Sequence, residues 1–255
     1  MKWIITGADQ LGKKSICQKV ADEHKIPIAI PTPTDETDES SVVISFNANG
    51  KTYALQKKDV EAAKLILLHP ENIVDFVEAM PSEDFMIVEI RYDAEDGAYD
   101  ELAIRQNPNE KNIVDRLRLE NERRSGIIRS IRNKTTREGN DGRLHYIADI
   151  KHDFTVETES GIARLLARHI HMSDNLINII ETMIKDDLID AEDGLVTIVN
   201  NSNGKKTTAR VPVVAEIAII EMESSKTFAM GMLSQWLSRS DTIIPPPVKI
   251  EENEE

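Results

Sequence analysis

Cysteine appears once in 255 residues, at Cys17, so no disulfide can close within this sequence and a reducing compartment is its natural setting. We therefore expect a cytoplasmic protein. No apolar run approaches the roughly 18 residues needed to cross a bilayer, which predicts no membrane partner. The opening residues carry neither a basic region nor a small-residue cleavage site, and no secretory signal is expected there. Positive charge is also short: 31 Lys and Arg against 45 Asp and Glu leave a formal net charge of −14. A surface that neutralises nucleic-acid phosphates must be basic, so nucleic acid is not an expected partner. What remains, 40% hydrophobic and 30% charged residues, is the profile of a water-soluble globular chain with material for a large core.

The most informative stretch is the first fifteen residues. Lys2-Trp3-Ile4-Ile5-Thr6 is apolar and β-branched and reads as a buried strand. Gly7-Ala8-Asp9-Gln10-Leu11-Gly12-Lys13-Lys14-Ser15 follows and fits G-x-x-x-x-G-K with the hydroxyl one position late, a degenerate Walker A loop. In such a loop the glycines let backbone N–H groups turn onto phosphate oxygens, the lysine supplies a point charge, and the helix behind adds its dipole. We assign nucleotide-phosphate binding to Gly7, Gly12, Lys13, Lys14 and Ser15, with Ser15 as the hydroxyl that reaches Mg²⁺. Ile16, Val20 and Ala21 then mark one buried helical face, so the motif sits between strand and helix as its chemistry requires.

The rest of the chain alternates. Pro31 to Ser41 is polar, acidic and proline-bearing and reads as an exposed loop. Val42 to Phe46 and Lys51 to Leu55 flank Asn49-Gly50, the signature of a β-hairpin. Lys57 to Ala63 predicts a short helix, and Leu65 to Leu68 and Phe85 to Ile90 are apolar runs of the kind buried in parallel sheets. Between them Glu71 to Ala79 predicts a helix. Helices are expected over Tyr99 to Gln106 and Glu110 to Arg132, a strand over Leu144 to Ile150 and a helix over Glu157 to His169. These elements predict an α/β fold, a mainly parallel sheet covered by helices on both faces. From His171 the rhythm changes. Ser173 predicts the N-cap of a separate amphipathic helix to Lys185, followed by a hairpin of Leu195 to Val199 and Thr207 to Val214 and a helix over Ala215 to Leu237. The proline- and glutamate-rich end, 243–255, is expected to be a disordered acidic tail.

Residues 1–170 resemble the guanylate kinase family of P-loop nucleoside monophosphate kinases. The loop GADQLGKKS is similar to that family's phosphate loop, and the hairpin ending in Gly50-Lys51-Thr52-Tyr53 is similar to its acceptor subdomain. Arg105 in ELAIRQNPNE and Arg116 in NIVDRLRLENE resemble the two arginines that reach the transferring phosphates. The resemblance implies a kinase-like parallel sheet with a β-hairpin acceptor subdomain, binding of ATP and Mg²⁺, and phosphoryl transfer to a nucleoside or deoxynucleoside monophosphate. Lys13, Arg105 and Arg116 would be catalytic, and Tyr53 would bind the acceptor. Two places depart from the pattern: Thr32-Pro33-Thr34-Asp35-Glu36 has no arginine, and His69-Pro70 stands where a magnesium-holding carboxylate is expected. The alternative is a catalytically inactive scaffold that binds a protein through its acidic surface or C-terminal extension.

Other residues have plainer readings. Tyr53 also suits simple cross-strand packing. Arg118, Arg123 and Arg124 share a helix with Asp115, Glu120 and Glu122 and are expected on a solvated face of i,i+4 ion pairs. His169 and His171 are two apart, so they share no helical face for a metal. The extension, 171–242, has the element order of a small winged-helix-like unit, but Asp186, Asp187, Asp190, Glu192 and Asp193 cancel Lys205, Lys206 and Arg210. With only 4% aromatics overall, the segment Phe228 to Leu237 concentrates Phe, Trp and two Met at helical spacing. We expect that stripe either to dock on its own chain or to form a homo-oligomer.

Overall fold

In the computed structural model, residues 1–7, 12–34, 40–48, 50–91, 115, 119, 122–131, 144–151, 156–200 and 204–224 are described. Contacts divide the chain into two units, Met1–Ile170 and His171–Glu255. The expected sites at Arg105 and Arg116, the helix over Tyr99 to Gln106, the stripe Phe228 to Leu237 and the tail 243–255 lie outside the described residues.

The first unit is built on β1 (Lys2–Gly7), α1 (Lys13–His24), β2 (Ile28–Ala29), β3 (Thr32–Pro33), β4 (Val42–Ala48), β5 (Lys51–Gln56), α2 (Lys57–Ala62), β6 (Leu65–Leu67), a 3-10 turn (Pro70–Asn72), α3 (Ile73–Ala79) and β7 (Phe85–Arg91). Helical residues 122–131 (α4) follow, then β8 (Leu144–Lys151) and α5 (Val156–Lys185), which runs on into the second unit. Among the described residues, five strands form a parallel sheet in the order β2-β6-β1-β7-β8. This is the expected α/β architecture, with helices on both faces. Side chains alternate across a strand, and the registers Trp3↔Met86, Ile4↔Ile87 and Ile5↔Val88 bring like faces together. Trp3, Ile5, Met86 and Val88 pack with Ile16, Cys17 and Val20 of α1 and with Ile162, Leu166 and Ile170 of α5. Ile4, Phe85 and Ile87 pack oppositely with Val60, Ile73, Phe76 and Ile131. Each such side chain contributes roughly 1.5–3 kcal/mol by leaving water. β1 is buried along its whole length, with Trp3, Ile4 and Ile5 in the two cores and Lys2 Nζ donating to the Glu61 and Ala63 carbonyls.

A smaller antiparallel sheet, β3-β5-β4, carries the hairpin. Ala48 faces Lys51 across the Asn-Gly turn, where Gly50 has φ +72°. Residues 32–33 correct the expected loop: Thr32 and Pro33 pair with Ala54 and Tyr53, an edge position that proline tolerates because it needs no ladder donor.

The second unit contains the later half of α5, a three-stranded sheet of β9 (Ala191–Glu192), β10 (Leu195–Asn200) and β11 (Lys205–Arg210), and α6 (Val211–Ser224). Ile180, Ile189, Val196, Val211, Val214 and Ala215 form its core. Two expectations are corrected in this unit. Val211 to Val214 begins α6 rather than ending a strand, because Pro212 fits the first helical turn, where no N–H is required. Ser173 is no N-cap: α5 is continuous from Val156 to Lys185, and Ser173 sits inside it, 0% exposed. No hydrogen-bond partner reaches its hydroxyl among the described residues. A buried unsatisfied hydroxyl costs free energy, and alanine is the better helix former. Ser173→Ala is therefore expected to leave the thermal midpoint unchanged or raise it, by about 0.5–2 kcal/mol of stability. A lowered midpoint would mean that the hydroxyl contributes a bond, against its burial without a partner.

Candidate functional site

Open parallel sheets bind ligands beyond the carboxyl ends of their strands, where neighbouring connections leave in opposite directions. β1 is that place: the chain goes first to β2 and β6 on one side and later to β7 and β8 on the other. β1 ends at Gly7, whose φ of +133° is available to glycine alone without strain. Loop residues 8–11 lie outside the described residues. The chain re-enters at Gly12, left-handed at φ +67°, which starts α1 by accepting the Ile16 N–H at 2.9 Å.

A cleft of about 900 Å³ opens at this loop. Gly12, Lys13 and Lys14 line one wall. Phe46, Ala48 and Tyr53 of the small sheet line a second, and Leu68, His69 and Glu71, together with Arg123 and Arg124 of α4, are among the other lining residues. Four of the sequence-assigned residues, Gly12, Lys13, Lys14 and Tyr53, thus meet in one space. Gly7 joins them indirectly, since its carbonyl accepts a 2.8 Å hydrogen bond from Lys13 Nζ. Ser15 is exposed on the first turn of α1 and does not line the cleft. Tyr53 stacks on Phe46 with ring centroids 6.0 Å apart and planes 14° apart, and His69 meets the edge of Phe46 at 5.9 Å. Cross-strand packing and a place on the cleft wall are therefore both true of Tyr53.

The electrostatics of the α1 end are unusual. The N-terminus of a helix is its positive end, which favours acids and disfavours cations. In α1 the first turn contains no acid, Gly12 supplies no side-chain cap, and Lys13 and Lys14 add two positive charges. Lys13 is 7% exposed. One turn further on, burial pushes the Cys17 thiol up to about 12 even though the Lys13 charge pulls the other way. The thiolate is the reactive form, so Cys17 is expected to resist thiol-modifying reagents at pH 7–8 in the native protein and to react fully in denaturant. Rapid native labelling would contradict this burial.

Across the cleft the structure departs from the solvated-face reading at Arg124, while Arg123 is exposed as expected. Arg124 is 8% exposed, and both guanidiniums reach Glu71: Arg123 Nη2 donates to Glu71 Oε1, and Arg124 Nε lies 3.5 Å from the same oxygen. Burial alone would raise the Glu71 carboxyl. The hydrogen bond from its own backbone and the two arginines outweigh that and hold it below the ordinary range. A depressed carboxyl stabilises the fold above its unfolded pKa of about 4.5 and loses that contribution as pH falls through the lower folded value. Glu71 escapes a reading of the sequence because its partners lie 52 and 53 positions away. Glu89 escapes it as well. It is 5% exposed near the carboxyl end of β7, in register with Thr6, one residue before the loop. A carboxylate inside the apolar run Phe85 to Ile90, next to the sheet's switch point, is the signal that could have found it.

Among the described residues no helix is long and apolar enough to cross a membrane. The chain matches no family model and no curated protein.

Proposed function

We propose that this protein is an ATP-dependent, Mg²⁺-assisted kinase of nucleoside or deoxynucleoside monophosphates, similar to guanylate kinases. The observation that carries the reading is the α1 N-terminus. Its two lysines, a first turn with no acid and a glycine N-cap make it a positive end suited to an anion, and it opens on a cleft large enough for a nucleotide. The donor set of ammonium, helix N-terminus and guanidinium groups fits a polyphosphate, which supports ATP as the group held there. Bound ATP with Mg²⁺ would supply the phosphoryl group and neutralise part of its charge.

The chain's own residues then position and neutralise. Lys13 holds a buried positive charge at the loop, and Tyr53 and Phe46 offer a flat aromatic wall for an acceptor base. Arg105 and Arg116 are the further cations that the resemblance implies. Ser15, the hydroxyl that the loop pattern assigns to Mg²⁺, lies outside the cleft, and Glu89 is a buried carboxylate near the carboxyl end of β7. A coupled assay of ATP consumption with each ribo- and deoxyribonucleoside monophosphate tests this. Turnover with one or a few acceptors is the expected result, and silence across the whole panel removes the reading.

The second reading is an inactive scaffold. It is favoured by His69, which lines the cleft just past β6 where the resemblance implies a magnesium-holding carboxylate. Calorimetry with ATP separates the two readings, since an intact fold that binds no ATP would support the scaffold.

A further inference from the structure

The face of α4 that packs on the sheet changes character where it reaches the cleft. Ile131 lies in the core beside Ile4, Ile73 and Phe76, Ile127 packs against that core, and Ile128 is buried. One turn earlier the same stripe continues as Arg124, buried like the isoleucines and placed three, four and seven residues before them. Charge thus replaces apolar contact at the cleft rim, and Glu71 meets that charge. From this geometry we infer that Glu71 is a latch, which holds the cleft-facing turn of α4 against the turn after β6 and whose release lets residues 123–126 open while the sheet stays folded. The latch is independent of what the cleft binds.

Three observations carry the assignment. First, Glu71 stands on a stiff post. It is the middle residue of the 3-10 turn Pro70–Asn72, where buried Pro70 has a ring-locked φ and the Asn72 N–H donates to the His69 carbonyl at 3.0 Å. Its carboxylate also accepts a hydrogen bond from its own backbone. Second, one oxygen engages two consecutive residues of α4: Arg123 Nη2 donates to Glu71 Oε1, and Arg124 Nε lies 3.5 Å from the same atom. Neighbouring residues of a helix diverge by about 100°, so a carboxylate that reaches both fixes the rotation of the helix as well as its distance. Third, the two holds on α4 differ in kind. The buried isoleucines leave their places only when the core opens, whereas the Glu71 side chain is 32% exposed and water can replace its bonds directly. Local opening follows the hold that water reaches.

The test is amide hydrogen exchange followed by NMR on the full chain, at one pH and temperature, for wild type, Glu71→Gln, Arg123→Ala and the double variant, beside thermal melts. Glutamine keeps the length of the side chain and removes its charge. Alanine is a better helix former than arginine, so faster exchange in Arg123→Ala reports the lost tie rather than a weaker helix. Glu71→Gln is expected to speed exchange at residues 123–126 by at least about tenfold, with β1, β6 and β7 changed less than about twofold. Arg123→Ala is expected to speed exchange at residues 124–126, and the double variant to go little beyond the larger single effect, because both changes break one hold. Unchanged exchange at residues 123–126 in Glu71→Gln would overturn the latch, since other contacts would then hold the turn. An equal rise across α4 and the sheet would overturn it as well, as a loss of global stability, and so would single effects that simply add. If Glu71→Gln does not fold, Arg123→Ala, at a half-exposed position, decides alone: faster exchange confined to residues 124–126 supports the latch, and no change or a uniform rise removes it.

Discussion

On the proposed kinase reading, Lys13→Ala is expected to lower kcat for phosphoryl transfer by about a thousandfold, the scale seen when one preorganised charge is taken from a developing anion. Its side chain is 7% exposed, and its ammonium is fixed by the 2.8 Å bond to the Gly7 carbonyl. The charge is therefore in place before substrate arrives and needs little reorganisation. The variant should still fold, since alanine is a good helix former and loss of the bond to the Gly7 carbonyl costs about 1 kcal/mol. Lys13→Met provides a second comparison by retaining most of the apolar stem. Steady-state kinetics beside a thermal melt would check this: an unchanged kcat in a folded variant would remove Lys13 from the chemistry.

Gly7→Ala is expected to cost more stability than the same change at Gly50, Gly126, Gly161, Gly194 or Gly204, where an added carbon meets nothing within 4 Å. A Cβ at Gly7 would lie 2.2 Å from the carbonyl oxygen of Ile90 and 3.2 Å from its carbonyl carbon, and φ is +133°. Those are backbone atoms of the neighbouring strand, so no side chain can rotate away. β1 and β7 would have to separate where the loop begins. Strain and overpacking together predict a cost of about 3–5 kcal/mol. Gly50→Ala is the control: φ is +72° in open space, so only the left-handed penalty of about 1–2 kcal/mol applies. Urea denaturation that found the two variants equally destabilised would contradict the close approach of Gly7 to Ile90.

Much of the frame is legible in the sequence because its signals are local. Trp3, Ile4 and Ile5 are consecutive apolar residues, which marks a strand buried on both faces, and Asn49-Gly50 between β-rich runs marks a hairpin. Lys13 can be proposed from spacing alone. The sequence misleads where local signals conflict with distant contacts. At His169, His171 and Ser173 the polar residues break the visible stripe, yet His169 packs against the Trp3 ring at 5.4 Å and Ser173 is enclosed, so one helix passes through. In Val211 to Val214 the β-branched residues suggest a strand, whereas the apolar surroundings of Val211, Val214 and Ala215 stabilise a helix. Arg124 resembles a residue of a solvated face, as Arg123 is, because acids surround both in sequence. Their partner, Glu71, is brought near only when α4 and the turn after β6 come together.

The strand order has a kinetic consequence. Trp3 pairs with Leu65 and with Met86, so β1 precedes its nearest neighbour by 62 positions and the other by 83. At roughly 5–20 residues per second of synthesis, about 3–12 s separate β1 from its first partner, and longer from its second. During that interval the central strand of the sheet has its backbone unpaired and its side chains uncovered. Its protection must come from α1, whose Ile16 and Val20 follow within two turns of helix, or from a chaperone. Nascent chains halted before residue 65 should therefore be the aggregation-prone species, and chains extended past Arg91 should not.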